Sequence, residues 1–481
     1  MGASVGPTLQ RRNAMSNKKH SLTIFSLTMI TVGSVDSIRN LPATALFGSQ
    51  LIFYFVLGAL FFLIPTALVS AELASGWAKQ GGIYIWVKQA FGKKMGFLAI
   101  WLQWIENVIW YPTILSFVAG TIGYLINPAL TSNPYFLWAV IVSCFWGATL
   151  LNLRGMSSSA LFSNLCSLAG LLLPMSLIIG LGVAWIAQGN PLQVQFDVPS
   201  IVPHLSDQSM WVSLTAIIMS FCGIEIATVH ANDVKNPQNA FPKVLVYSVG
   251  IILSTLILGS LAIAIVLPQN DINLVAGIMQ AFEAFFSSYH MTWMMPIVAV
   301  MLVLGGLGGV SNWIIAPTTG LLVAAEDGNL PSAFQKTNAN GAPVVMLYTQ
   351  ATIVTLLSGL FLFMPSVNGS YWLLTALAAQ LYMLMYFIMF VAAIKLRLSE
   401  PEHPRAFKIP GGMFGMLFVA GVGIIGVCAT LAVSFIPPDG IDVGSLARYE
   451  FTLIFGLLLM CSPPFISSWL QAKTPDMEPA V

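Results

Sequence analysis

The sequence predicts an all-α integral membrane protein with twelve transmembrane helices, and three observations point to it. Only 8% of its residues are charged and 57% are hydrophobic, whereas a soluble domain carries about 25% charged residues. Apolar runs such as "LYTQATIVTLLSGLFLFMP" and "MLFVAGVGIIGVCATLAVSFIPP" recur at close to the ~20 residues that cross a bilayer, without the ~10-residue alternation of a barrel strand. Basic residues gather in alternate loops.

The spans fall near 22–47, 51–72, 95–126, 135–152, 158–187, 209–231, 243–267, 290–324, 344–364, 370–396, 413–435 and 449–470. Residues 1–21 form a polar, basic tail, and span 1 is far too long for a signal-peptide core, so it is expected to stay attached. Seventeen of the 19 Lys and Arg residues lie in the two tails and in the loops after spans 2, 4, 6, 8 and 10. Arg448 alone lies on the opposite side, and Arg39 lies within a span. The positive-inside rule then puts both termini in the cytoplasm of a cell inner membrane. The longest external loops, about 188–208 and 268–289, carry acidic but no basic residues. The five cysteines sit in or at the ends of apolar spans with neither a disulfide framework nor zinc spacing, so packing or lipid contact is their expected role. No cofactor, metal or nucleic-acid partner is expected, and the lipid bilayer is.

Ionisable groups inside spans are rare because each costs ~2.5–3.5 kcal/mol at the bilayer centre on the mildest scale. The candidates are Asp36 and Arg39 in span 1, Glu106 in span 3, and Glu225 and His230 in span 6. Span 1 carries "TVGSVDSIRNLP", in which Gly33-Ser34 is a plausible unwinding point. Span 6 repeats the theme: an apolar half, a small-residue break at Cys222-Gly223, the carboxylate of Glu225, then a second half. These are the first members of two successive five-span sets, 22–187 and 209–396, which spans 11 and 12 (413–470) and a short tail (471–481) follow. Interrupted helices at matched places in two halves mark the binding site of an inverted-repeat transporter. Freed amides suit a carboxylate and freed carbonyls an ammonium, so a zwitterionic amino acid fits.

Each residue also has a plainer role. Glycines in membrane helices are commonly packing points. Glu106 can be a protonated interhelical donor, and His230 a structural hydrogen-bonder. Trp101, Trp104, Trp110 and Tyr111 read as interface and packing aromatics. Asp36 and Arg39, three apart, share a face if their stretch is helical. That admits a structural ion pair, a direct hold on a substrate's carboxylate or amine, or an Arg39 that snorkels to the external interface.

Four motifs resemble the amino acid–polyamine–organocation transporter superfamily. "GIEIATVHANDVKNPQNAFP" (223–242) is similar to its span 6 signature, and "AELASGWAKQGGIYIWVKQAFG" (71–92) to its loop after span 2. "AAEDGNLPSAFQKTNANGAPV" (324–344) resembles the loop after span 8, and "RAFKIPGG" (405–412) the loop before span 11. "INLVAGIMQAF" (272–282), "NANGAPV" (338–344) and "SFIPPDGI" (434–441) are similar to the bacterial glutamate:γ-aminobutyrate antiporter family. The resemblance implies a five-plus-five inverted repeat with broken helices 1 and 6 plus two extra helices. It also implies exchange of an amino acid for its decarboxylation product, which carries protons out of an acid-stressed cell. Glu225 matches the family's carboxylate near the substrate, Trp313 in "GGVSNWIIAP" an aromatic facing it, and Tyr382 and Tyr386 in "LYMLMYFIMF" two span 10 tyrosines near the pathway. Span 1 departs from the family in its charge.

The expected substrate site is therefore Gly33, Ser34, Asp36, Arg39, Cys222, Gly223, Glu225, Trp313, Tyr382 and Tyr386, with Glu225, His230 and Glu106 as proton-coupling candidates. A proton-coupled amino-acid importer is the other transport reading, with Glu225, Glu106 or Asp36 cycling the proton. An intramembrane enzyme would need a convergent nucleophile and base, and no His-Glu-x-x-His or Gly-x-Ser-x-Gly occurs. A receptor would have no use for two broken helices.

Overall fold

The computed structural model describes residues 23–77, 79, 81–154, 166, 168–203, 211–225 and 237–473. These residues are helical throughout, apart from turns and one isolated bridge, Thr337 to Pro343. Among the described residues ten helices are long and apolar enough to cross a membrane: Gly48–Gly76, Lys93–Ile126, Pro134–Leu153, Ala169–Ala187, Gln238–Ala264, Thr292–Ser311, Val344–Phe363, Val367–Ser399, Gly412–Val433 and Leu446–Ser467. They correspond to spans 2–5 and 7–12. Span 1, which the sequence marks as interrupted, is outside this set, and span 6 is described only over residues 211–225.

Span 1 is helical over Ile24–Val35, and Asp36 (φ −69°, ψ 130°) and Ser37 (φ −149°, ψ 119°) are then extended. A 3-10 turn, Ile38–Asn40, and a short helix, Leu41–Ala45, with Pro42 in its first turn complete the span. The break thus lies two residues beyond the expected Gly33-Ser34. The Ser34 hydroxyl donates back to the Thr31 carbonyl at 2.8 Å, a bond that helices accommodate. Asp36 instead accepts from the Thr255 hydroxyl of span 7. Span 6 breaks where expected: helix Ser213–Phe221 ends at Cys222 (ψ 148°), and Gly223 takes φ 103°, a region open mainly to glycine. His230 and the second half of span 6 beyond Glu225 lie outside the described residues.

Spans 3 and 10 form the centre, with 72% of each one's most apolar stretch buried, against 17% for span 12. Spans 5 and 8 cross at glycines. A methyl on Gly170 would lie 2.0 Å from the Gly305 Cα, and one on Gly308 would lie 2.3 Å from the Cys166 Cβ. Small residues at such a crossing let two backbones touch.

Three of the loop motifs meet on the basic face. Glu72, 1% exposed, accepts from Arg397, from the Ile409 amide at 2.8 Å, and lies 3.4 Å from the Arg405 guanidinium. After the left-handed pair Gly81-Gly82, the helix Ile83–Phe91 brings Tyr84 and Lys88 to Asp327 past the end of span 8, where both donate to its carboxylate. The Lys88 hydrogen bond, and then that of Tyr84, hold the Asp327 carboxyl below the usual carboxylate range. A depressed native value stabilises above the unfolded value of about 4 and is lost as pH falls through the lowered one. Asp327→Asn is therefore expected to lower thermal stability in detergent by a constant amount near neutral pH. That deficit should shrink below about pH 4, and a deficit unchanged at acid pH would contradict the assignment.

Candidate functional site

Between spans 1, 3, 5, 6, 8 and 10 lies a cavity of about 620 Å³, within the ~300–1,000 Å³ of small-molecule sites. The two breaks meet at its wall. A Cβ on Gly223 would stand 2.9 Å from the Ser34 carbonyl oxygen and 3.2 Å from the Trp313 indole. The freed backbone of each interrupted span thus faces the other, and such backbone survives at membrane depth where it is enclosed by protein or lines a cavity.

Of the residues expected at the site, Gly33, Ser34, Asp36, Arg39, Cys222, Trp313 and Tyr382 line the cavity, and Glu106 does too. Gly223, Glu225 and Tyr386 stand one layer behind. The Glu225 carboxylate, 2% exposed, accepts from Gln103 Nε2 at 2.9 Å, from the Tyr382 hydroxyl at 2.7 Å and from the Tyr386 hydroxyl. The Gly223 amide donates to the Tyr386 hydroxyl at 3.1 Å. One carboxylate therefore ties span 3, the span 6 break and the two span 10 tyrosines together. Those tyrosines share a helix face with ring centroids 4.9 Å apart, as their i, i+4 spacing requires.

Asp36 and Arg39 do not pair, because the extended residues 36 and 37 take them off a common helix face. Asp36 Oδ2 accepts from the Thr255 hydroxyl at 2.8 Å. Arg39 Nη1 donates to the Thr113 hydroxyl at 2.8 Å and the Tyr371 hydroxyl at 3.2 Å. Its guanidinium lies 5.0 Å from the centre of the Trp110 ring, a cation–π distance. At 4% exposure Arg39 is inside the protein, which also sets aside the snorkelling reading. Glu106, 2% exposed, accepts from the Asn107 amide at 3.1 Å.

Trp110, read as an interface or packing aromatic, also forms part of the cavity wall, where it packs on Trp313 with ring centroids 5.8 Å apart and planes tilted by 48°. Gln103, Thr113 and Tyr371 were missed. A signal exists for the first two. Gln103, Glu106, Asn107, Trp110 and Thr113 are spaced i, i+3, i+4, i+7 and i+10, one face of a helix, and they make a polar stripe along an apolar span. Chemically, the wall offers a guanidinium, two carboxylates, two indoles and a phenol, a set able to hold a small molecule carrying both charges.

Residues 22–458 match the sequence model of the amino acid permease family. An uncharacterized transporter from Legionella pneumophila is 47% identical over 462 residues, covering 96% of this chain and 98% of its own. A glutamate/γ-aminobutyrate antiporter from Lactococcus lactis is 30% identical over 465 residues, covering 95% and 92% respectively. A probable agmatine/putrescine antiporter from the same species is 23% identical over 398 residues, 82% and 84% of the two chains. With a family match over nearly its whole length and relatives that are membrane transporters of small molecules, this chain belongs to the amino acid permease family of the amino acid–polyamine–organocation superfamily.

Proposed function

We propose that the protein is a secondary active antiporter. It exchanges an amino acid for a related amino acid or its decarboxylation product by alternating access, in the manner of a glutamate/γ-aminobutyrate exchanger. The observation that carries this reading is the meeting of the two interrupted spans, Gly223 against the Ser34 carbonyl, at a cavity lined by both charge signs. Its frame is the five-plus-five repeat of residues 22–187 and 209–396, with Trp313, Tyr382 and the Glu225 cluster forming the substrate side of the second half. No catalytic residue is assigned, and the chain acts as a transporter rather than an enzyme. Exchange for a decarboxylated product would export protons and so serve acid resistance.

Counterflow in proteoliposomes tests it. Uptake of labelled amino acid should require an internal amino acid, and uptake driven by a proton gradient alone would mean symport. The symport reading has its own support in Asp36 and Glu106, two carboxylates in the cavity wall. The basic-loop asymmetry supports an inner-membrane protein with both termini in the cytoplasm. Single cysteines placed in loops 188–208 and 325–342 should then label from opposite sides, and labelling of both from outside would overturn that orientation.

A further inference from the structure

Arg39 is unusual among the described cations. The guanidiniums of Arg397 and Arg405 on the basic face reach Glu72, and Arg405 also donates to the carbonyls of Leu396, Glu400 and His403. Arg39, more deeply buried than either, has no carboxylate within ion-pairing distance among the described residues and gives Nη1 to two neutral hydroxyls. Its Nε has no hydrogen-bond partner, and Nη2 makes no hydrogen bond among the described residues. Nε–H and Nη2–H lie along one edge of the planar guanidinium, the edge that grips a carboxylate by two parallel hydrogen bonds. Trp110 against the guanidinium and Thr113 and Tyr371 at Nη1 fix its plane, Nε itself is shielded from solvent, and Arg39 lines the cavity. In the same cavity wall, Asp36 is 6% exposed, and its Oδ1 is without a partner.

We propose that Arg39 is the carboxylate receptor and a specificity-determining residue of the cavity, with Asp36 and Glu106 forming the side that takes the substrate's ammonium. The inference rests on the exchange reading and deepens it. A buried cation hydrogen-bonded only to neutral hydroxyls is costly, and an incoming carboxylate offsets that cost. An amine without a carboxylate would leave Arg39 unpaired and add a second cation, so it is rejected. If one site takes both an amino acid and its decarboxylation product, both must carry a carboxylate. The amino acid is then a dicarboxylic one and the product an ω-amino acid, and diamines fall outside the class.

The test uses the full-length protein in proteoliposomes. The probes are L-glutamate, γ-aminobutyrate, L-alanine and L-lysine, each beside the analogue whose carboxylates are replaced by carboxamides, together with putrescine. Competition in counterflow should favour each accepted acid over its amide by roughly 30-fold or more, the usual consequence of stranding one partner of a buried charge pair. Putrescine should not compete. Arg39→Gln should bring acid and amide within about threefold, and Arg39→Lys, which keeps the charge but not the fork, should keep only part of the preference. Wild type that accepts amides or putrescine as well as acids overturns the proposal, whether or not either variant folds. So does a folded Arg39→Gln, or an Arg39→Lys, that keeps the full wild-type preference. If compounds exchange but the preference ignores residue 39, only the Arg39 assignment falls. If wild type exchanges none of them, the exchange reading falls and this inference with it.

Discussion

Gly223→Ala is expected to cut the initial rate of exchange at least tenfold while the chain still reaches the membrane. Two costs coincide at this position. Its φ of 103° lies where an L side chain is strained, at about 1–3 kcal/mol. Its new methyl would stand 2.9 Å from the Ser34 carbonyl oxygen, a backbone atom that cannot rotate away, and 3.2 Å from the Trp313 ring. Relief requires the two breaks to part or the indole to swing, and either reshapes the cavity where the interrupted spans touch. Gly33→Ala is the matched control. Gly33 sits inside the helix Ile24–Val35 with nothing within 4 Å of an added Cβ. Alanine there should be tolerated by the fold and gain up to about 1 kcal/mol of helix propensity, so a loss of rate confined to this variant would come from a methyl entering the cavity that Gly33 lines. Initial rates normalised to reconstituted protein decide. A harmless Gly223→Ala would undo the geometry described above.

That control separates what a linear pattern carries from what it does not. Ten spans were legible because bilayer thickness sets a length and lipid sets a composition, and both are properties of a single segment. The span 6 break was legible because a glycine follows a small residue in an otherwise apolar helix. The span 1 break was misplaced by two residues because helix propensity marks Gly33-Ser34 as weak. What actually ends the helix is Asp36, whose carboxylate finds Thr255, 219 residues away. Asp36, Arg39 and Glu106 stood out because charge in a membrane is rare, and all three line the cavity. Their geometry did not follow, since the i, i+3 rule that pairs Asp36 with Arg39 holds only in a helix. The partners Arg39 does take, Thr113 and Tyr371, are 74 and 332 residues distant. That Trp110 also lines the cavity did not follow from its being an indole, and only its place on the Gln103–Thr113 stripe distinguishes it.

Glu225→Ala is expected to be the most damaging single change at the cluster behind the cavity, lowering both folded yield and thermal stability. It removes the acceptor shared by Gln103, Tyr382 and Tyr386, in a place where water does not replace it. A stranded buried donor costs ~1–3 kcal/mol. The three costs will not simply add, because the Tyr386 hydroxyl keeps the Gly223 amide and can turn. Glu225→Gln keeps one carbonyl acceptor but must point an N–H at a donor, so it should fold with an intermediate loss of stability. Its effect on transport is the informative one. Tyr382 reaches the cavity wall with its hydroxyl held by Glu225, so loosening that bond should raise the half-saturating substrate concentration more than it lowers the limiting rate. If Glu225 also takes part in proton coupling, Glu225→Gln should in addition flatten the dependence of exchange rate on pH. A raised half-saturation with an unchanged pH profile would leave Glu225 as a positioning residue for Tyr382. If both are unchanged in a folded Glu225→Gln protein, the carboxylate serves only to pack spans 3, 6 and 10 together, and the proton-coupling role passes to Glu106 and Asp36, the two acids among the residues of the cavity wall.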